Sequence, residues 1–280
     1  MTDSLVRAQS NNIEGCEEKE HRLRELIRSF GSVIVAFSGG ADSAYLSYVA
    51  NDELGDRAIA ITGDSASYPS FQRELAEKLT HRFGVSHEII FTDEFSNPDY
   101  TNNPPNRCYY CKAELYEKLT RIAHERGFKF VCDGTNADDS ADYRPGREAA
   151  RERGVRSPLQ ECGMSKAEIR ELSRRAGLPT WNEPASACLS SRVPYGQVVT
   201  IEKLSMIDRA EMLLKELGFR QVRVRHHGEI ARIEVASSEL TRALTPEMTM
   251  AMSSGLKQLG FKFVTLDLEG YRTGSLNESL

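Results

Sequence analysis

Apolar runs alternate with amphipathic stretches along the first two thirds of the chain. The run 32–37 is β-branched and apolar, which is typical of a central parallel strand that is buried on both faces. Similar runs predict strands at 58–62, 87–91 and 128–133, and helical spacing predicts a helix at 70–83. This alternation predicts an α/β fold with a doubly wound, mostly parallel sheet.

The pattern changes after Gly196. The remaining segments read as helices at 201–217 and 246–259 and as strands at 221–225, 230–235 and 262–268. A turn signal at His227-Gly228-Glu229 separates two of these strands, which predicts a β-hairpin. We therefore expect a flexible N-terminus at 1–20, a first domain at 21–200 and a smaller C-terminal α+β domain at 201–280.

Composition and charge exclude several classes of protein. The 280 residues are 40% hydrophobic and 28% charged, which is typical of a globular chain. The net charge of −5 gives no bulk attraction to nucleic acid. Apolar runs fall far short of the roughly 18 residues of a membrane span, and the first residues lack the apolar core of a signal peptide. We expect a cytoplasmic protein that does not bind membranes. The net charge disfavours nucleic acid as a partner, although a local basic patch would still allow it.

A glycine-rich segment, Ser38-Gly39-Gly40-Ala41-Asp42-Ser43, joins the first strand to a helical stretch. Its glycines let the backbone wrap around an anion, toward which successive amides and the helix N-terminus point. The segment lacks the Lys-Ser/Thr ending of the GxxxxGK(S/T) loop, so a kinase or motor ATPase is disfavoured. The sequence therefore predicts a phosphate site.

The SGGADS segment resembles the SGGxDS loop of the PP-loop ATP pyrophosphatases, whose fold is of the adenine nucleotide alpha hydrolase-like type. These enzymes adenylate a substrate and release pyrophosphate, with Mg²⁺ neutralising the departing charge. Two residues at the ends of later strands, Thr62 and Gly134, match positions that this superfamily uses around adenosine. The resemblance implies the following ATP-binding residues: Ser38, Gly39, Gly40, Asp42, Ser43, Thr62 and Gly134.

The six cysteines divide into two groups by their spacing. Three stand alone, as small buried residues commonly do: Cys16, Cys132 and Cys162. The others are a CxxC pair, Cys108 and Cys111, and the distant Cys188. Three thiolates can hold a 4Fe-4S cluster and leave one iron to carry a sulfide, which suits a chain that makes adenylates. A zinc site, a redox disulfide within the CxxC pair and a chance spacing are the alternatives.

Four longer stretches extend the resemblance over nearly the whole chain. They lie at 142–146 (DYRPG), 181–196 (WNEPASACLSSRVPYG), 222–234 and 259–277, and together they resemble the LarE family. The resemblance implies an ATP-dependent sulfur transferase that converts the carboxylates of pyridinium-3,5-biscarboxylic acid mononucleotide to thiocarboxylates, for a nickel-pincer cofactor. It also implies a homo-oligomer, with the C-terminal domain serving substrate binding or oligomerisation.

One position departs from the best-known branch of that family. In that branch a single cysteine is a sacrificial sulfur donor, and here Ala187 occupies its place, with Cys188 one residue further on. The sequence is therefore similar to the three-cysteine branch, which implies Cys108, Cys111 and Cys188 as catalytic residues and ligands of a 4Fe-4S cluster. A sulfide donor is then the expected partner, because the cluster has to be replenished.

Five cationic side chains are candidates for binding the substrate. Two carboxylates and a phosphate call for bidentate cations, which the guanidinium group supplies. Arg223 and Arg225 are two residues apart on a predicted strand and share a face, although a solvated hairpin face would show the same pattern. The full set is Lys112, Arg144, Arg192, Arg223 and Arg225.

The expected reaction begins with adenylation of a carboxylate, which makes it open to attack by sulfide because AMP is a good leaving group. Pyrophosphate and AMP are then products. Two other functions remain open. A tRNA thiolase also combines a PP-loop with three cysteines, although the acidic net charge and the lack of a recognisable RNA-binding domain argue against it. An ATP-binding regulatory protein would bind nucleotide without forming pyrophosphate.

Overall fold

The computed structural model describes residues 2–141, 145–184 and 186–272, and gives the backbone alone at 2–14 and 140–141. The chain divides into two compact units. The first comprises Met1–Asp64, Gln72–Asp93 and Cys108–Glu183. The second comprises Ser65–Phe71, Glu94–Arg107 and Pro184–Leu280.

Four parallel strands form the sheet of the first unit. They are β1 (Val33–Ala36), β2 (Ala58–Asp64), β3 (His87–Phe91) and β4 (Phe130–Cys132), in the order β3-β2-β1-β4. Every residue of β1 is buried, as its continuous apolar sequence indicates for a central strand. The predicted mixed α/β fold with a parallel sheet is confirmed, and the carboxyl ends of all four strands lie at one edge.

Helices pack on both faces of this sheet. The helices up to residue 175 are α1 (Thr2–Phe30), α2 (Ala41–Leu54), α3 (Ser70–Phe83), α4 (Pro98–Thr101), α5 (Arg107–Arg126), α6 (Pro145–Glu152), α7 (Pro158–Glu161) and α8 (Lys166–Arg175). Of these, α4 belongs to the second unit. Val33 and Val35 share a core with α1, α2 and α8, whereas Ile34 and Ala36 share a core with α5 and α6. The side chains of β1 alternate between these cores because successive strand residues point to opposite faces.

The second unit contains a three-stranded sheet. Its strands β5 (Val222–His227) and β6 (Ile230–Val235) form the predicted antiparallel hairpin, and β7 (Phe263–Leu266) pairs in parallel with β6. The helices α9 (Ile201–Glu216), α10 (Leu240–Ala243) and α11 (Pro246–Gln258) complete it. α9 begins at a capping residue, Thr200, whose side chain accepts from the amide of Lys203. One face of the sheet packs with these helices in an apolar core.

The predicted boundary at residue 200 does not coincide with the division into units. Leu189, Val193 and Val199 belong to the second unit because they pack with Leu204 and Ile207 of α9. As a domain boundary, residue 200 stays a prediction. The backbone of 2–20, for which a flexible segment is expected, lies in α1, and its flexibility also stays a prediction. No helix within the described ranges is both long and apolar enough to cross a membrane.

Candidate active site

The predicted phosphate loop connects β1 to α2 at the carboxyl edge of the sheet. Gly39 has a φ of +72°, a conformation that strains residues with a side chain. The Ser43 hydroxyl donates to the carbonyl of Gly40 at 3.1 Å and accepts from the amide of Ser38 at 3.2 Å. The loop is thereby fixed at the N-terminus of a 14-residue helix, where unpaired amides favour an anion.

Asp42 places a carboxylate in this loop. One oxygen, Oδ2, accepts from Asn136 Nδ2 at 3.1 Å, whereas the other, Oδ1, is buried without a hydrogen bond to any described residue. Burial raises the pKa of Asp42, and the nearby Lys166 ammonium opposes that rise. A buried carboxylate oxygen that lacks a partner is a suitable ligand for Mg²⁺, so the loop fits a nucleotide that arrives with this ion.

The two residues expected around adenosine both support the loop. A Cβ on Gly134 would lie 2.8 Å from the amide nitrogen of Ser43, so the chain after β4 approaches α2 too closely for a side chain. Thr62 is buried, and its hydroxyl donates to the carbonyl of Phe37 at 2.9 Å and lies 2.8 Å from His87 Nε2. Their contacts with nucleotide stay predictions.

A cavity of about 500 Å³ opens beside the end of β4. Its lining includes Asp133, Thr135, Arg147 and Ser157. Asp133 is buried and accepts from the Ser157 hydroxyl at 2.8 Å and from the Tyr116 hydroxyl at 3.1 Å. Sequence reasoning gave this aspartate no role, although its position directly after a buried strand was a usable signal.

The two groups of cysteines defined by their spacing also differ in accessibility. Cys16, Cys132 and Cys162 are buried, and burial raises the pKa of each thiol. The other three are accessible: Cys108 is exposed, and Cys111 and Cys188 are half-buried. Accessible thiols are the better metal ligands because the thiolate is the binding form. All six are described, and none forms a disulfide.

The accessible thiols lie in different units. Cys108 and Cys111 are in the first two turns of α5, in the first unit, where their spacing puts both on one side of the helix. Cys188 precedes a short 3₁₀ turn, Leu189–Arg192, in the second unit. Over the described ranges, no three His, Cys, Asp or Glu side chains are grouped to hold a metal ion. The three-cysteine cluster stays a prediction.

Of the predicted substrate ligands, Lys112 lies next to the CxxC pair in the sequence. Lys112 follows Cys111, and its ammonium lies 5.4 Å from the centre of the Tyr116 ring. Gly146, at the start of α6, packs on the stem of this lysine, since a Cβ there would lie 2.9 Å from Lys112 Cγ. Arg144 lies outside the described residues.

Arg192 is completely buried in the second unit. Its guanidinium donates to both carboxylate oxygens of Glu211, with Nε to Oε1 at 2.8 Å and Nη2 to Oε2 at 3.0 Å. Although burial opposes charge on both groups, their pairing raises the pKa of Arg192 and lowers that of Glu211. The structure therefore gives Arg192, expected to bind substrate, a protein carboxylate as its partner.

Arg223 and Arg225 lie on the face of β5 opposite the apolar core, and both are buried. The interpretation as a solvated hairpin face is therefore wrong. Arg225 donates to Glu234 through Nε and Nη2, both at 2.9 Å. The guanidinium of Arg223 lies 5.2 Å from the centre of the Tyr271 ring. Burial and the charge of Arg192 lower the pKa of Arg223 to about 10.

We call these five buried side chains the arginine-glutamate cluster: Arg192, Glu211, Arg223, Arg225 and Glu234. Sequence reasoning missed its two glutamates. The signal for Glu211 was its position on α9, four residues after Ile207 and seven after Leu204, which places a charge on the apolar face of the helix. The signal for Glu234 was its pairing opposite Arg223 in the hairpin.

Known proteins resemble this chain over most of its length, although no protein family model matches it. It is 45% identical over 264 residues to an uncharacterised protein of Synechocystis sp., covering 94% of this chain and 98% of the relative. It is 37% identical over 263 residues to the pyridinium-3,5-bisthiocarboxylic acid mononucleotide synthase of Lactiplantibacillus plantarum, covering 94% and 95%. A probable tRNA sulfurtransferase of Methanothermobacter thermautotrophicus is 27% identical over 161 residues, or 52% of this chain and 40% of the relative.

Proposed function

Because the chain belongs to the family of the pyridinium-3,5-bisthiocarboxylic acid mononucleotide synthase, we propose that it is an ATP-dependent sulfur transferase with the same product. Its substrate would be pyridinium-3,5-biscarboxylic acid mononucleotide, whose carboxylates become thiocarboxylates. The observation that carries this proposal is the 37% identity to the synthase over 94% of the chain.

The first unit supplies the adenylation chemistry. The amides of the loop 38–43 and the N-terminus of α2 would bind the phosphates of ATP, since both present positive partial charge. Asp42 would hold Mg²⁺ through its unpaired buried oxygen, Oδ1. Attack of the substrate carboxylate on the α-phosphorus then forms the acyl adenylate and releases pyrophosphate, whose charge the loop and the ion stabilise.

The second unit supplies positive charge for the anionic substrate. The arginine-glutamate cluster contains three guanidinium groups and two carboxylates, all buried. A guanidinium group binds a carboxylate or phosphate in bidentate fashion, so an anionic group of the substrate would bind beside Arg223 and Arg225 of this cluster. Burial and the charge of Arg192 lower the pKa of Arg223, and an anionic group of the substrate beside it would stabilise its charged form.

The accessible thiols Cys108, Cys111 and Cys188 would serve the sulfur step. Their donor set fits an iron-sulfur cluster, since three thiols are reachable and the remaining three are buried. When bound, a 4Fe-4S cluster with three thiolate ligands leaves one iron at which a sulfide can be held for transfer. Ala187 occupies the place of the sacrificial cysteine and has no sulfur to give. A sulfide donor and a homo-oligomer are carried over as predictions.

Anaerobic turnover with ATP, Mg²⁺, sulfide and the pyridinium substrate tests the proposal. We expect substrate-dependent release of pyrophosphate and AMP, and a thiocarboxylate product by mass spectrometry. Cys188→Ala is expected to abolish the product and to lower bound iron, whereas Cys162→Ala, which changes a buried thiol, retains both. Pyrophosphate release that ignores the substrate would contradict the proposal, as would full product formation by Cys188→Ala.

A tRNA thiolase is the second candidate, favoured by the similarity to a tRNA sulfurtransferase over 52% of the chain. The net charge of −5 opposes it, because tRNA binding depends on cationic contacts with phosphates. The same assay with tRNA in place of the pyridinium substrate distinguishes the two. Pyrophosphate release stimulated only by tRNA would favour this candidate, and nucleotide binding without any release would indicate a regulatory protein.

A further inference from the structure

We propose that Arg192 is a positioning residue that fixes the backbone of Cys188, and that it does not bind the substrate. The inference rests on the proposed function, in which Cys188 takes part in sulfur transfer. It reassigns a residue for which the sequence predicts contact with an anionic ligand.

Support for this role comes from the set of hydrogen bonds that Nη1 of Arg192 makes. Nη1 of Arg192 donates to the carbonyl of Ala187 at 2.8 Å and to the carbonyl of Cys188 at 3.0 Å. It also lies 2.8 Å from the hydroxyl of Ser191, which itself donates to the carbonyl of Cys188 at 2.8 Å. The carbonyl of Cys188 therefore accepts from two side chains as well as from the amide of Ser191 at 3.0 Å.

Glu211 determines how this guanidinium is aimed. It occupies Nε and Nη2 in a bidentate pair and leaves Nη1 pointing at the cysteine segment. Glu211 is itself fixed, since Oε1 also accepts from the amide of Val224 at 3.0 Å. The resulting path runs from β5 through Glu211 and Arg192 to the backbone of Cys188, entirely within the second unit.

The burial of Arg192 excludes direct recognition of a substrate in this arrangement. Its exposed fraction is 0%, and its Nε, Nη1 and Nη2 each donate to protein acceptors. Lysine cannot replace it, because a single ammonium lacks the planar fork that reaches Glu211 and two carbonyls together. Arg225 makes a similar buried pair and donates to the carbonyl of Ser191 at 2.7 Å, so two arginines hold this segment, with Arg192 bonded to the carbonyl of Cys188.

The test compares Arg192→Lys with the double variant Arg192→Met/Glu211→Gln. The double variant removes both charges, so it avoids an unpaired buried ion and retains an acceptor for the amide of Val224. Arg24→Lys is the matched control, because Arg24 also pairs with several carboxylates but lies in the first unit. Hydrogen-deuterium exchange of the apo-protein is measured over 186–193 and, for reference, over α9.

We expect exchange in 186–193 to become about tenfold faster in both Arg192 variants, while α9 and the Arg24→Lys protein keep the wild-type rates. Unchanged exchange at 186–193 would overturn the proposal, and so would a uniform acceleration across the unit, which would show general destabilisation. This readout does not depend on turnover, so it stands apart from the test of the proposed function.

Steady-state kinetics on the pyridinium substrate provide the second readout. Loss of positioning is expected to lower kcat of Arg192→Lys about tenfold and to leave KM within about twofold of wild type. A tenfold rise in KM at constant kcat would instead identify Arg192 as a substrate ligand and overturn the inference. If the wild-type enzyme forms no product, the proposed function fails while the exchange result still tests the positioning.

Discussion

Replacing Gly134 with alanine tests whether the end of β4 supports the phosphate loop. The added Cβ would lie 2.8 Å from the nitrogen and 3.0 Å from the Cα of Ser43, and 3.2 Å from the carbonyl carbon of Asp42. These are backbone atoms that cannot rotate away. Ordinary carbon contacts need about 3.5 Å or more, so the first turn of α2 or the chain at 134 must shift by roughly 0.5–1 Å.

A shift of this size displaces the amides that would bind phosphate. Overpacking costs about 1–3 kcal/mol of unfolding free energy. The melting temperature falls by about 2–4 °C for each kcal/mol lost in a chain of this size class. We expect the Kd of a non-hydrolysable ATP analogue with Mg²⁺, measured by calorimetry, to rise at least about tenfold, or 1.4 kcal/mol.

Gly63→Ala is the matched control. A Cβ on Gly63 would also come within 2.8 Å of a neighbour, but that neighbour is Cδ1 of Leu115, the end of a flexible side chain. We expect this variant to keep the wild-type Kd within about twofold, because the leucine can rotate away. A Gly134→Ala protein that binds the analogue with wild-type affinity would refute the reasoning, as would equal losses of affinity in both variants.

Three further predictions concern single carboxylates and their hydrogen-bond partners. In the wild-type protein, Asn136 Nδ2 donates to Asp42 Oδ2 at 3.1 Å. Asn136→Asp replaces this donor with a second carboxylate that repels Asp42. Calorimetry should then show at least about tenfold weaker binding of the Mg²⁺-bound analogue. Burial raises the pKa of Asp42 in the folded protein. The folded state therefore loses stability relative to the unfolded state as the pH rises from about 3.9, the pKa of an unfolded aspartate, through the raised pKa of the folded state. The melting temperature of Asp42→Asn should therefore rise relative to wild type over that window, and a constant difference would contradict this. Glu94→Ala leaves the hydroxyls of Ser65 and Ser67 without their shared acceptor and should cost about 1–3 kcal/mol in chemical unfolding, whereas Glu94→Gln should cost less.

Elements with an intrinsic periodic signal were predictable from the sequence. The bounds of α3, β3 and β6 agree with the apolar patterns at 70–83, 87–91 and 230–235. α3 and β6 each bury one face in a core, and β3 packs Ile90 against one. β4 covers only 130–132 of the predicted 128–133. The glycine-rich loop was also predictable, since its own glycines allow the backbone conformation that a phosphate site requires.

Contacts between distant segments were not predictable in the same way. An Arg-x-Arg pattern has the same sequence whether the arginines of the strand are exposed or buried. Only their contacts, such as those of Arg225 with Glu234 and Ser191, show that they are buried here. The contact of Gly134 with Ser43 depends on the pairing of β4 beside β1, which no local pattern encodes. Arg192 shows the same limit, since its partner Glu211 comes from a helix that is 19 residues away in sequence.

The division of the cysteines gained a physical basis from the structure. The spacing alone separated a CxxC pair and Cys188 from three single residues. The structure shows that the single residues are buried, with thiol pKa values raised by burial, and that the other three are accessible. Thiols that solvent reaches can serve as ligands, and the assembly of Cys108, Cys111 and Cys188 on one cluster stays a prediction.

Anaerobic turnover of the reconstituted protein, with excess sulfide and intact-mass measurement before and after, tests the central claim most directly. We predict more than one thiocarboxylate formed per chain, an unchanged protein mass, and iron that is lost in Cys108→Ala, Cys111→Ala and Cys188→Ala. Product formation that stops at one sulfur per chain, together with the loss of one sulfur atom from the protein, would contradict a catalytic role for these thiols and indicate a sacrificial donor.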